Sequence, residues 1–158
     1  MIYWLIPITS FFCPFFIVND EVFPAIEFSK AVAPSLETLK RVHLTLVVDE
    51  DSEDPLAGFC EELEAISGKN QLESIEIVVD LQADEDCHTG AHTWSRLEKV
   101  LLQPGWPTLK HVSLLIIIYR ENNSPFKVAL ERLRETQFAG LMSSNNLDFQ
   151  FSIREDEP

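Results

Sequence analysis

Cys87, His88 and His92 lie close together beside Asp84 and Asp86, a set of soft and borderline metal ligands in one polar stretch. A structural zinc site needs four ligands at definite spacing, and no second cysteine or histidine pair completes this one. Cys87 and His88 are neighbours in sequence only, which is not the side-chain geometry of a nucleophile and its base. There is no G-x-S-x-G turn and no glycine-rich phosphate loop, and 5 glycines are few from which to build one. The acidic run DEDSED at 49–54 lacks the glycine and the spaced bidentate glutamate of a calcium loop. His43 and His111 flank predicted strands at non-equivalent positions and read as surface residues; Trp94 and Trp106 read as packing residues. The expectation is a chain with no catalytic residue, no metal and no cofactor, hence not an enzyme.

The elements that would carry any site are organised as a repeat. In residues 106–119, WPTLKHVSLLIIIY, a leucine is followed three positions on by an apolar residue and then by alternation: Leu109, Val112, Leu114, Ile116. The same spacing occurs at Leu39, Val42, Leu44, Leu46 and at Leu72, Ile75, Ile77, Val79. A weaker fourth copy is Leu147, Phe149, Phe151, with Ser144 in the leading place. Aligned on Leu44, Ile77, Leu114 and Phe149, the copies stand 33, 37 and 35 residues apart. Such a period marks a repeat array in which each unit is one supersecondary element.

Between the copies the pattern is helical. Helices are predicted over 20–33, ended by Pro34, and from an Asp54 cap with Pro55 at the first position to Gly68, burying Leu56, Phe59, Cys60, Leu63 and Ile66. A third spans 93–102, stopped by Pro104 and Gly105, and a last one runs from Ser124 to near Gly140. Strands are predicted at 41–49, at 74–80, within 106–119 and at 147–153. Strands separated by helices of this length are most simply parallel, with right-handed crossovers. If every helix lies on one face, the result is a leucine-rich-repeat-like α/β array of about four helix-strand units; a doubly wound sheet is the competing arrangement.

The chain of 158 residues is long enough for one core. Its 26 acidic and 12 basic residues give a net charge of −14, which disfavours nucleic acid and anionic membrane surfaces and leaves a basic protein partner open. Cys13, Cys60 and Cys87 are too few and scattered for a disulfide framework, so a reducing, cytoplasmic or nuclear setting fits. Residues 1–18 carry no charge and resemble an export or membrane segment. Against that, no Lys or Arg precedes them, Pro7 and Pro14 interrupt them, and no small-residue cleavage site follows. The alternatives are an exported or membrane-anchored protein held by 1–18, a buried extended segment, or a start of the chain foreign to the folded protein. The predicted organisation is thus an apolar segment at 1–19, the α/β domain at 20–153, and a frayed acidic tail at 154–158.

Two surfaces follow from a parallel sheet. With Val42, Leu44 and Leu46 turned to the helices, the opposite face carries His43, Thr45 and Val47, then Glu76, Val78 and Asp80, then Ser113, Leu115 and Ile117, and then Asp148, Gln150 and Ser152. Val47, Val78, Leu115 and Ile117 would form an apolar stripe there, which either residues 1–18 or a partner should cover. The second surface is an acidic rim beyond the strand ends: Asp49, Glu50, Asp51, Glu53 and Asp54 after the first strand, and Asp80, Asp84, Glu85 and Asp86 after the second. Glu121 follows the third strand, and Glu155, Asp156 and Glu157 the fourth. Such a cluster would favour a cation or a basic peptide, or would simply be solvated.

The LxxVxLxL motif, the full helices between its copies and the phrase PGWPTLKHVSL before the third strand resemble the leucine-rich C-terminal regions of fungal F-box-like proteins, over about residues 23–153. That resemblance implies a curved α/β platform that recognises a protein substrate, while a separate F-box module docks the ubiquitin-ligase adaptor. Nothing in this sequence matches the F-box itself. The functional expectation is a non-catalytic protein-protein interaction domain using the open sheet face and the acidic rim.

Overall fold

Alternating apolar residues turn one face of each strand inward, and four such strands pair side by side. The computed structural model describes residues 15–18, 21–24, 28–48, 56, 58–81, 91–119 and 125–156. A hairpin of β1 (Phe15–Val18) and β2 (Glu21–Pro24) precedes helix α1 (Phe28–Val32). Then come β3 (Arg41–Val48), α2 (Phe59–Ile66), β4 (Ser74–Leu81), α3 (Ala91–Leu102) and β5 (His111–Tyr119). Three short helices, α4 (Pro125–Glu131), α5 (Leu133–Thr136) and α6 (Ala139–Met142), lead to β6 (Asp148–Asp156). The sheet is wholly parallel, in the order β3-β4-β5-β6.

Each repeat enters the sheet through the same backbone contact. Ser74 N–H donates to Lys40 O (3.1 Å), His111 N–H to Glu73 O (3.1 Å) and Asp148 N–H to Lys110 O (2.8 Å). Leu44, Ile77, Leu114 and Phe151 stand in one row, separations of 33, 37 and 37 residues. The fourth copy is therefore set two residues later than its expected alignment on Phe149, which lies opposite Val112. The leading position held by Leu39, Leu72 and Leu109 falls on Asn146 in the last repeat, so no leucine marks its register. Ile153 occupies the place of Leu46, Val79 and Ile116.

The buried apolar residues of the described helices join the inward residues of the strands in one cluster. The described helices thus cover a single face of the sheet, and the doubly wound alternative does not hold among the described residues. Phe138 is fully buried, its ring 5.4 Å from Phe149, 5.3 Å from Phe151 and 6.1 Å from Trp94. The expected single helix 124–140 is interrupted at Arg132 and again at Gln137 and Phe138, and Phe138 sits in the second break.

Other boundaries also move. Residues 21–24 form a strand where a helix was expected, and helix formation waits until Phe28. Helix α2 starts after Gly58 (φ 73°), so Leu56 is buried from a turn before it; Asp54 and Pro55 lie outside the described residues. Gly68, also at φ 73°, follows the end of α2 as the sequence predicts for a C-terminal left-handed residue. Residues 154–156 continue β6 instead of fraying, with the Arg154 guanidinium on Asp156 (2.9 Å from both carboxylate oxygens) and Lys127 Nζ 3.1 Å from Glu155.

β1 approaches β3 within 8 Å between Cα atoms. The hairpin of β1 and β2 forms a two-stranded sheet of its own, separate from the four-strand sheet. Among the described residues no helix is long and apolar enough to cross a membrane.

Candidate functional site: the open face of the sheet

Strand alternation places His43, Thr45, Glu76, Val78, Ser113, Leu115, Ile117 and Gln150 on the face away from the helices, as expected. The register arranges them in rows. The first is Arg41, Ser74, His111, Asp148; the second His43, Glu76, Ser113, Gln150; the third Thr45, Val78, Leu115, Ser152; the fourth Val47, Asp80, Ile117, Arg154. Tyr119 and Asp156 end the face. Asp148, Gln150 and Ser152 each lie one row away from the place first assigned to them, a consequence of the shifted last repeat.

The apolar centre is narrower than a four-strand stripe. Val78 and Leu115 are half-buried, and Ile117 is 8% exposed; the side chain of Val47 lies outside the described set. Among the described residues, Ile117 is the one buried apolar residue that does not belong to the main core. Asp80 and Arg154 flank it in register, and the Tyr119 hydroxyl lies 3.3 Å from Asp80 Oδ2. The negative charge of Asp80 raises the Tyr119 phenol above its usual range, with burial and the hydrogen bond adding to the effect.

At the other end, His43 Nδ1 lies 3.0 Å from Glu76 Oε2 and His111 Nδ1 lies 3.1 Å from Asp148 Oδ2. These pairs span neighbouring strands, and their separations of 33 and 37 residues are the repeat period itself. The first pairing is readable from the 33-residue spacing in the sequence, whereas the second follows from the shifted register of β6. Arg41, Ser74 and Lys110, which no sequence pattern places on this face, lie beside these pairs.

The first row brings Ser74, His111 and Asp148 together in the order of a nucleophile, base and acid. The chemistry stops at the order. No hydrogen bond joins Ser74 to His111 among the described residues, and both His111 and Asp148 are more than half exposed, so water competes for every contact. The Ser74 and His111 N–H groups are committed to Lys40 O and Glu73 O and offer no oxyanion hole. Beside this row lies an open cavity of about 300 Å³, lined by Arg41, Glu73, Ser74, Glu76, Lys110 and His111.

The acidic rim at Asp49, Glu50, Asp51, Glu53, Asp54, Asp84, Glu85 and Asp86 lies outside the described residues, as do Cys87, His88 and the side chain of His92. Asp80 and Asp156, which the sequence reading set beyond the strand ends, are within β4 and β6. Among the described residues no group of three or more His, Cys, Asp or Glu could hold a metal ion. No family model, no curated protein and no solved structure matches the chain.

Proposed function

We propose that this chain is a non-catalytic protein-interaction domain that takes a segment of a partner protein on its open sheet face. The observation carrying this reading is a wholly parallel sheet with described helices on one side and Val78, Leu115 and Ile117 at the centre of the other. Parallel sheets are almost always covered on both faces. The net charge of −14 favours a basic segment. The leucine-spaced motif supports the narrower reading as the substrate-recognition part of an F-box-like protein, and the buried Cys60, a thiol outside any disulfide, fits a cytoplasmic or nuclear setting.

A short random-peptide library selected on the immobilised chain tests the reading. The expected binders join apolar and basic residues, weaken as salt rises, and lose about tenfold or more in affinity to Leu115→Asp. Binders that ignore Leu115→Asp would move the interaction off this face, and binding indifferent to salt would remove the basic partner.

A further inference from the structure

The cavity at the start of the strands is lined by side chains of both charges. Each acid at this end of the sheet is already engaged: Glu73 Oε1 by Lys40 Nζ at 3.2 Å, Glu76 by His43 and Asp148 by His111. Arg41 and Lys110 have no carboxylate partner among the described residues, and both are exposed. Arg41 is the register neighbour of Ser74 on one side, and His111, preceded directly by Lys110, is its neighbour on the other. Strands stand about 4.8 Å apart, so a guanidinium, a hydroxyl and an ammonium converge on one opening. Arg41 and Lys110 balance Glu73 and Glu76 in the lining, and adjacent Lys40 adds a further positive charge, in a chain of net charge −14. An anion therefore meets less repulsion here than the net charge of the chain alone would impose.

We propose that this cavity binds a side-chain oxyanion, carboxylate or phosphate, of a polypeptide lying on the open face. Arg41 supplies a planar two-pronged donor, Lys110 a point charge and Ser74 a hydroxyl. This rests on the proposed interaction role and adds a polarity to it. The oxyanion seats at the Arg41 end, and the basic part of the segment reaches toward Asp80, six residues along β4 from Ser74 and about 20 Å away.

Amide-resolved NMR titration of the whole chain with inorganic phosphate, with acetate, and with otherwise identical peptides bearing serine, phosphoserine or glutamate tests the site apart from the apolar centre. Saturable shifts confined to Arg41, Ser74, Lys110 and His111 are expected. The Arg41→Ala, Lys110→Ala double variant should lose about tenfold or more in affinity for the same probes, with its amide spectrum otherwise unchanged because both side chains are exposed. Leu115→Asp should leave phosphate binding intact. Shifts that do not saturate, or that persist undiminished in the double variant, overturn the site. Phosphate binding that saturates while the serine, phosphoserine and glutamate peptides bind alike overturns the polypeptide ligand. Loss of peptide binding in Leu115→Asp alone, with phosphate retained, supports both parts.

Discussion

Asn70 is the one buried polar residue among the described side chains, and its role is local. Its Nδ2 donates to Ile66 O (3.0 Å) and Gly105 O (3.3 Å), and its Oδ1 accepts from Leu72 N (3.1 Å), joining the end of α2 to the turn before β5. Asn70→Leu would leave the Leu72 N–H without that acceptor and should cost about 1–3 kcal/mol, read from the shift of a denaturation midpoint. Tyr119 makes a prediction of another kind. Because Asp80 raises its phenol, the folded chain keeps this proton where an unfolded one has released it. Its contribution to stability is whole below the ordinary tyrosine value of about 10 and is lost as pH climbs through the raised folded value. Alkaline absorbance titration should therefore show Tyr119 titrating late, and Asp80→Asn should bring it earlier.

At the scale of elements, neighbouring helices are tied by carboxylates and held by their buried stripes. Glu62 Oε2 accepts from Ser29 N (2.7 Å), Glu98 Oε2 accepts from Leu141 N (3.0 Å), and Arg96 of α3 pairs with Glu61 and Glu64 of α2. The bond to Glu61, first among the causes, raises the already high Arg96 pKa. The Arg96 side chain is 42% exposed, so water and salt screen both pairs. Arg96→Ala should accordingly cost less than about 1 kcal/mol, whereas Leu97→Ala, on the fully buried face of the same helix, should cost about 2–5 kcal/mol. Chemical denaturation of the two variants separates the contributions. Packing between turns is tightest at Gly105, where a Cβ would stand 1.6 Å from Ser67 Oγ and 2.8 Å from Ser67 Cβ. Gly105→Ala should destabilise by about 1–3 kcal/mol. Adding Ser67→Gly removes both side-chain atoms and should recover part of the loss, a coupling that a double-mutant cycle measures.

For the molecule as a whole, charge sets the conditions of stability. An excess of 26 acids over 12 bases makes the folded state repel itself, and salt shortens the range of that repulsion. The midpoint of thermal unfolding should rise as sodium chloride is added, before any specific partner is present; a midpoint that falls would show that the few attractive pairs outweigh the net charge. The two edges of the array also differ. β3 has the hairpin strand β1 within 8 Å between Cα atoms, while β6 is the opposite edge strand, where Arg134 donates to Phe151 O (2.9 Å). Phe149 and Phe151 retain slightly more exposure than their counterparts in β4 and β5, as suits a final repeat with no successor to pack on.

Much of this architecture was legible in the order of residues. Alternation within Val42, Leu44, Leu46 and its relatives determined the buried face, since an extended chain turns successive side chains to opposite sides. Helices between the strands determined parallel pairing, because a short turn cannot return a chain to run the same way. Only the tertiary structure decided what depends on distant contacts: the later register of β6, which lacks a leading leucine; the burial of Phe138 at the break between α5 and α6; and the strand at 21–24, supported by pairing with 15–18. It also decided the candidate site. Arg41, Ser74 and Lys110 have no common sequence pattern, and they meet because three strands start at one level, a placement made by hydrogen bonds between repeats.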